Sequence, residues 1–333
     1  MKTGFYRRHA VSLRAELGRS VPRDELRALH RRSPRRHLLV AARQFLVLGL
    51  AAWALIRFPH PFVWVPVALI QGFTIFDFTI LLHEVVHALV FERRRPGAER
   101  ALALAYAIPS GVSASQFTRW HLDHHRELGS PESDPKRHHL SPRVNRRWFK
   151  LLYCTPALFP IYFRAARRET ATYPPALQHR IRIERRASIG VHLVVLGLVW
   201  WLAGWAAALR AYVVPVFFVF PVAFTLNRLG QHYDISPEDP AGWTTLVKGH
   251  PFWDLVFLNS NYHLEHHYFP GVPFYHLPAL QAALAPFYER RGLRWRTYGQ
   301  LVWGWLVENR EPHTDWAGGV GGTPDAAGQP SRL

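Results

Sequence analysis

Histidine stands out in this chain, at 20 of 333 positions, and eight of the 20 fall in three tight clusters. The first is His83-Glu84-Val85-Val86-His87, the second His121-Leu122-Asp123-His124-His125, the third His263-Leu264-Glu265-His266-His267. Residues three and four apart share one face of a helix. Each cluster therefore projects two or three imidazoles from one side of a helical turn. Imidazole suits iron, copper, nickel and zinc. Eight such ligands exceed what one tetrahedral zinc uses, whereas they suit two first-row metal ions. Glu84, Asp123 and Glu265 lie between the ligands, either as carboxylate acceptors that orient the rings or as exposed polar positions of the helix. His83-Glu84-x-x-His87 also matches H-E-x-x-H, the two-histidine zinc motif in which Glu is the general base. At the end of an apolar helix that motif reads as an intramembrane zinc metalloprotease, which leaves both His-x-x-His-His clusters without a role.

The elements that must position these clusters are apolar. Four blocks can span a bilayer, which takes roughly 20 residues. They run from about Leu38 to Phe58, Val63 to Leu82, Ile189 to Leu209 and Tyr212 to Leu226. Arg43 and Gln44 sit in the first turns of the first block, where Arg43 can snorkel. Only Pro59-His60-Pro61-Phe62 separates the first pair, and little more than Arg210 and Ala211 the second. The blocks thus read as two helical hairpins. The second block ends at Leu82, so His83 sits at its mouth, on the side that carries the other two clusters. Asp77, an acid inside the second block, is expensive there. It is expected to line the substrate path or to pair with a donor from another helix. The stretch Leu151 to Phe163, broken by Pro156 and Pro160, is expected to lie in the interface.

Lys and Arg number 41 against 23 Asp and Glu, a formal charge of +18. Arginines crowd the segment before Arg43 and recur at Arg93 to Arg95, Arg164 to Arg168 and Arg180 to Arg186. All lie on the histidine side of the hairpins, which the positive-inside rule makes cytoplasmic, with both termini there. The charge fits an anionic membrane face, and no zinc finger, RNP motif or basic zipper points to nucleic acid. The one cysteine, Cys154, excludes a disulfide framework and any cysteine-based zinc or iron–sulfur cluster. An Ala-, Arg- and Trp-rich, Lys-poor composition suggests a bacterial source, hence an inner membrane. His138 and His139 read as part of a solvated basic loop. The expected division is a basic segment 1–37, a membrane domain 38–312 and a disordered tail 313–333.

With these boxes in order, the sequence resembles the membrane fatty acid desaturase superfamily, which includes hydroxylases and ketolases. The extended third box, Asn261 to Pro270, looks like the desaturase form, as do Val272-Pro273 with Leu277-Pro278 and, after the second box, Asp134-Pro135. The resemblance covers roughly Leu38 to Pro278. It implies an all-α integral membrane protein, four transmembrane helices under a cytoplasmic helical cap that carries the histidine boxes. It implies a non-haem centre of two irons that uses O2 to remove two vicinal hydrogens from a fatty acyl chain. It also implies a ninth ligand at the end of the last transmembrane helix, a place that His232 occupies, with Asn227 about one and a half turns earlier able to reach iron through water. A separate electron donor, a ferredoxin or a cytochrome b5-like protein, is implied, since no His-Pro-Gly-Gly haem motif is present. The alternative within the superfamily is a hydroxylase or ketolase of carotenoid, alkane or sphingolipid.

Overall fold

The computed structural model describes residues 4–130, 132–136, 145–236 and 238–310. The expected disordered tail and the pair His138 and His139 lie outside them. Among the described residues the chain is helical, and β pairing is limited to one bridge between Val247 and Arg296. The helices that matter for the site are α1 (Pro34–Arg57), α2 (Pro61–Val86), α3 (Pro96–Ala107), α4 (Ala114–Glu127), α5 (Leu158–Thr170), α6 (Pro175–Ala208), α7 (Phe220–His232), α8 (His263–Tyr268) and α9 (Leu277–Arg290).

The first two are set by their ends. Pro34 and Pro61 stand in the first turns, where a missing N–H costs nothing. Ser33 Oγ accepts from the Arg36 N–H at 3.3 Å, and α1 stops just before Pro59. The two helices pack along their lengths as a hairpin. Three helical segments are long and apolar enough to cross a membrane: Pro34–Arg57, Pro61–Val86 and Pro175–His232. Their outward faces are exposed and apolar, with Leu46, Leu50 and Trp53 on α1, Phe62 and Leu69 on α2, and Leu193, Trp201 and Leu202 on α6. An apolar belt of that extent is a membrane surface rather than a water-facing one.

The third segment is not one straight rod. Gly204 has φ 81° and ψ 171°, a backbone region that only glycine enters readily. His192 Nδ1 lies 2.6 Å from the Tyr212 hydroxyl. Twenty residues of unbroken helix would separate them by about 30 Å, so the chain doubles back at Gly204. The expected turn at Arg210 and Ala211 is therefore displaced. Arg210 is already on the returning limb, where its Nε donates to the Leu55 carbonyl at 3.1 Å near the end of α1. The returning limb passes through two π-helical turns, Leu209–Val213 and Pro215–Val219, before α7. It lies against α2 at Gly72, where an added Cβ would fall 2.4 Å from Val219 Cβ.

The polar end of the bundle is closed by a cap built from α4, α8, α9 and the N-terminal residues. The latter form short helices Phe5–His9, Val11–Ser20 and Arg23–Leu29. Leu13, Leu17, Val21 and Leu29 are buried in the same core as Leu280, Leu284 and Phe287 of α9. The basic N-terminal segment is thus packed into the cap, and the expected boundary at residue 37 falls inside α1. The expected interfacial stretch is two helices, Arg147–Leu152 and α5, broken around Pro156.

Candidate metal centre

Helix α2 carries His83 and ends at His87, so the first cluster sits where the bundle meets the cap. Helix α4 presents His121, His124 and His125 from one face, and its start is locked to α6. Ser113 Oγ and Ser115 Oγ each donate to Glu184 at 2.6 Å, and the Ser115 N–H does so at 2.9 Å. Helix α8 is little more than the third cluster itself. His232 closes α7.

These four stretches converge on two groups of ring nitrogens. His83, His87, His121, His125 and His266 form one; His124, His232, His263 and His267 form the other, and within each the ligand atoms lie within 4.8 Å of one another. In the first group His83 Nε2 is 3.0 Å from His266 Nε2, which is 3.0 Å from His125 Nε2, and His87 Nε2 is 2.8 Å from His121 Nε2. In the second, His232 Nε2 is 3.1 Å from His124 Nε2 and 3.2 Å from His263 Nε2, itself 3.0 Å from His267 Nε2. Nitrogens at about 2.1 Å from an ion and 90° apart are about 3.0 Å from each other, whereas tetrahedral ligands are about 3.4 Å apart. The spacing fits ligands gathered round a common point at near-octahedral angles. The two groups adjoin, with the rings of His125 and His267 stacked at 4.3 Å.

The rings are in the form that binds metal. Burial, reinforced by neighbouring imidazoles and cations, holds His87, His121, His124, His125, His263, His266 and His267 well below the usual histidine range. They are neutral at neutral pH, with lone pairs available. Two of them have their tautomer set from outside. His124 Nδ1–H donates to Asp134 Oδ1 at 2.8 Å, and His232 Nδ1–H to the Trp243 carbonyl at 3.1 Å, which turns each Nε2 lone pair inward.

The carboxylates within the boxes are placed differently. Glu84 Oε1 is 3.6 Å from His83 Nδ1, and its Oε2 accepts from the Phe274 N–H at 3.1 Å. Asp123 accepts from Arg119 Nε at 2.8 Å, one turn back along α4. Glu265 points to α9, accepting from Gln281 Nε2 at 2.8 Å and the Tyr288 hydroxyl at 2.7 Å; burial pushes its carboxyl up to about 7. Asn227 donates to Ser260 Oγ at 2.7 Å and accepts from Gln231 Nε2 at 2.8 Å. Asp77 accepts from Gln44 Nε2 of α1, a donor from another helix.

An apolar cavity opens onto the histidines. Phe76 and Ile80 of α2, Phe159 and Phe163 of α5, and Phe220 and Phe224 of α7 form its deep walls, and His83, His121, His263 and His266 line its inner end. Phe220 lies 11 residues before Gln231, so the cavity, apolar and polar parts together, runs about 16 Å along α7. Asn227, Arg228, Gln231, Ser260 and Lys136 add polar groups at the histidine end. Sequence reasoning passed over Arg228, Lys136 and the Asp134 contact to His124. The signal for Arg228 is a charge in the last turns of an apolar helix, which is costly without a task.

The fatty acid desaturase family model matches residues 59–299. The chain belongs to the fatty acid desaturase family. Among its relatives is the human (Homo sapiens) sphingolipid delta(4)-desaturase/C4-monooxygenase DES2, 27% identical over 245 residues, 69% of this chain and 68% of that protein. The Bos taurus sphingolipid delta(4)-desaturase DES1 is 28% identical over 226 residues, 63% of this chain and 62% of that protein. The desaturase-family chain is thus an oxidoreductase of lipid metabolism and, with its long apolar helices, a membrane protein. The H-E-x-x-H protease reading falls: His83 and His87 belong to a five-imidazole group in a desaturase-family chain, and Glu84 is held by a backbone N–H.

Proposed function

We propose that this protein is an O2-dependent desaturase of a fatty acyl chain, with two non-haem irons held by His83, His87, His121, His125 and His266 on one side and His124, His232, His263 and His267 on the other. The observation that carries the reading is the convergence of nine imidazoles into groups of five and four at the end of an apolar cavity. The donor set fits: borderline nitrogen ligands, near-octahedral spacing, and two adjoining sites. Bound there, paired irons supply the oxidising power, drawn from O2, that an unactivated C–H bond demands.

The chain's own residues do the rest. Phe76, Phe159, Phe163 and Phe224 exclude water and confine a hydrocarbon chain so that two adjacent methylenes face the histidines. Asp134 and the Trp243 carbonyl keep His124 and His232 turned inward. Each turnover removes two hydrogens and two electrons from the substrate. A separate donor, a ferredoxin or a cytochrome b5-like protein, adds two more electrons, two protons come from solvent, and O2 leaves as two waters. The cationic face of the cap suits an acidic donor. Replacing one C–H by C–OH in the same cavity is the second reading, favoured by the monooxygenase activity in the name of the DES2 relative.

The fold-back at Gly204 supports four membrane crossings in two hairpins, with His60 and Gly204 at one face and the cap, on the arginine-rich side, in the cytoplasm of a bacterial cell. The test is metal analysis of the purified protein joined to lipid profiling of a host that expresses it. Close to two irons per chain and new unsaturation, both lost in His266→Ala, are expected. One zinc per chain, or unchanged host lipids, would overturn the reading.

A further inference from the structure

The cavity is not apolar throughout, and its polar end is oddly charged. Arg228 is 8% exposed, lines the cavity, and its Nη2 has no hydrogen-bond partner. Lys136 lines the same cavity, so two basic side chains share one enclosure. The nearby Asp134 accepts from His124 Nδ1 and from the Lys136 backbone N–H, and does not hydrogen-bond Arg228 Nη2. A guanidinium withdrawn from water with an idle donor is unfavourable unless something with an acceptor oxygen completes it. The neighbouring polar groups are already arranged in a chain, Gln231 to Asn227 to Ser260, which leaves Arg228 as the donor still to be used.

Arg228 and His232 are one turn apart on α7, about 6 Å between Cβ atoms. The idle donor therefore sits beside the histidines, while the apolar walls extend away from them toward Phe220. We propose that Arg228, backed by Lys136, binds the oxygen at the polar end of the lipid substrate, a carboxylate or an amide carbonyl, so that the chain lies with its tail toward Phe220 and is oxidised close to its polar end. This rests on the desaturase reading and adds the polarity and position of the substrate within that site. A substrate oxidised in mid-chain would instead carry its hydrocarbon past the histidines, and the Arg228 Nη2 donor would face methylenes.

Two measurements on the full-length, iron-loaded protein decide it. The first is equilibrium binding of three probes of equal chain length, hexadecanoate, hexadecanamide and hexadecane, to wild type, Arg228→Gln and Arg228→Lys. Wild type should prefer at least one oxygen-bearing probe over hexadecane by tenfold or more. Arg228→Gln should reduce that preference to threefold or less with iron content unchanged, and Arg228→Lys should keep most of it. A preference confined to hexadecanoate assigns a free acid; one shared with hexadecanamide assigns an N-acyl lipid. Equal binding of all three probes to wild type, or an undiminished preference in Arg228→Gln, overturns the proposal. Should Arg228→Gln lose iron or fail to fold, the wild-type preference and Arg228→Lys decide alone. The second measurement is the position of the new double bond or hydroxyl in host lipids, expected within about six carbons of the polar end, the reach of one helical turn from Arg228. Oxidation in mid-chain overturns this proposal and leaves the desaturase reading standing. An oxygen-dependent binding preference with no oxidised lipid in any host overturns the desaturase reading and leaves only the binding of the polar end by Arg228.

Discussion

Imidazoles bind a metal well only when something holds them still, and here the holding groups can be named. Asp134 fixes the tautomer of His124 through a 2.8 Å hydrogen bond between buried partners. Asp134→Asn is expected to weaken iron retention 10- to 100-fold, the usual consequence of losing such a partner. Competition against a graded series of chelators measures this, and retention equal to wild type would remove Asp134 from the account. His266→Ala should act more severely, since His266 Nε2 touches both His83 and His125 Nε2 within the five-membered group. At this scale the sequence was informative: spacing of three and four residues picked out eight histidines before any fold was known. Asp134 and Arg228 were harder. A contact between residues ten apart, beyond the end of α4, has no helical periodicity, and one arginine in an apolar helix looks like an interfacial anchor until its burial is seen.

Among the elements, the reversal within the third apolar segment is the least familiar. It depends on one residue, Gly204, in a conformation that a side chain resists. Gly204→Ala should cost about 1–3 kcal/mol in unfolding free energy, with Gly197→Ala, in an ordinary helical stretch with open space, as the control. Thermal unfolding in a fixed detergent would show it, and equal midpoints for the two variants would mean that the turn is not strained. The hairpin was legible in the length of the apolar run, but its apex was not. Ala, Trp and Gly around residue 204 are all tolerated in a helix, while Arg210, the conspicuous charge, is spent on the Leu55 carbonyl. Proline marks the other turn, which was expected at Pro59 to Phe62 and lies at Phe58 to His60, because Pro61 is already in the first turn of α2.

At the level of the whole molecule, two expectations are accessible to experiment. A single cysteine placed in a Cys154→Ala background at His60 should react with a membrane-impermeant thiol reagent from one side of sealed vesicles. Cysteines at Arg23 and Arg290 should react from the other. Labelling of His60→Cys and Arg290→Cys from the same side would exclude the two-hairpin topology. Removal of metal should also lower the thermal midpoint of the entire protein, because the nine ring nitrogens tie α2, α4, α7 and α8 together and lose their common partner at once. A chelated sample that melts with the untreated one would show that the packing of cap on bundle stands without the ions. The division into membrane bundle and cap could be read from hydropathy, whereas the incorporation of the first 30 residues could not. Their arginines dominate the composition, and the few leucines that bury against α9 are visible only as a sparse helical stripe.

The two nitrogen groups have one further property in common: each draws on the stretch 263–267, through His266 in one case and through His263 and His267 in the other. Neither can be completed by any shorter portion of the chain. During biosynthesis, the ribosome must therefore have passed residue 267, and the apolar segments that precede it must already have been made, before a full set of nitrogens exists. On the two-iron reading proposed above, metal loading is then a late event, and a chain that stalls early carries only an incomplete set of ring nitrogens.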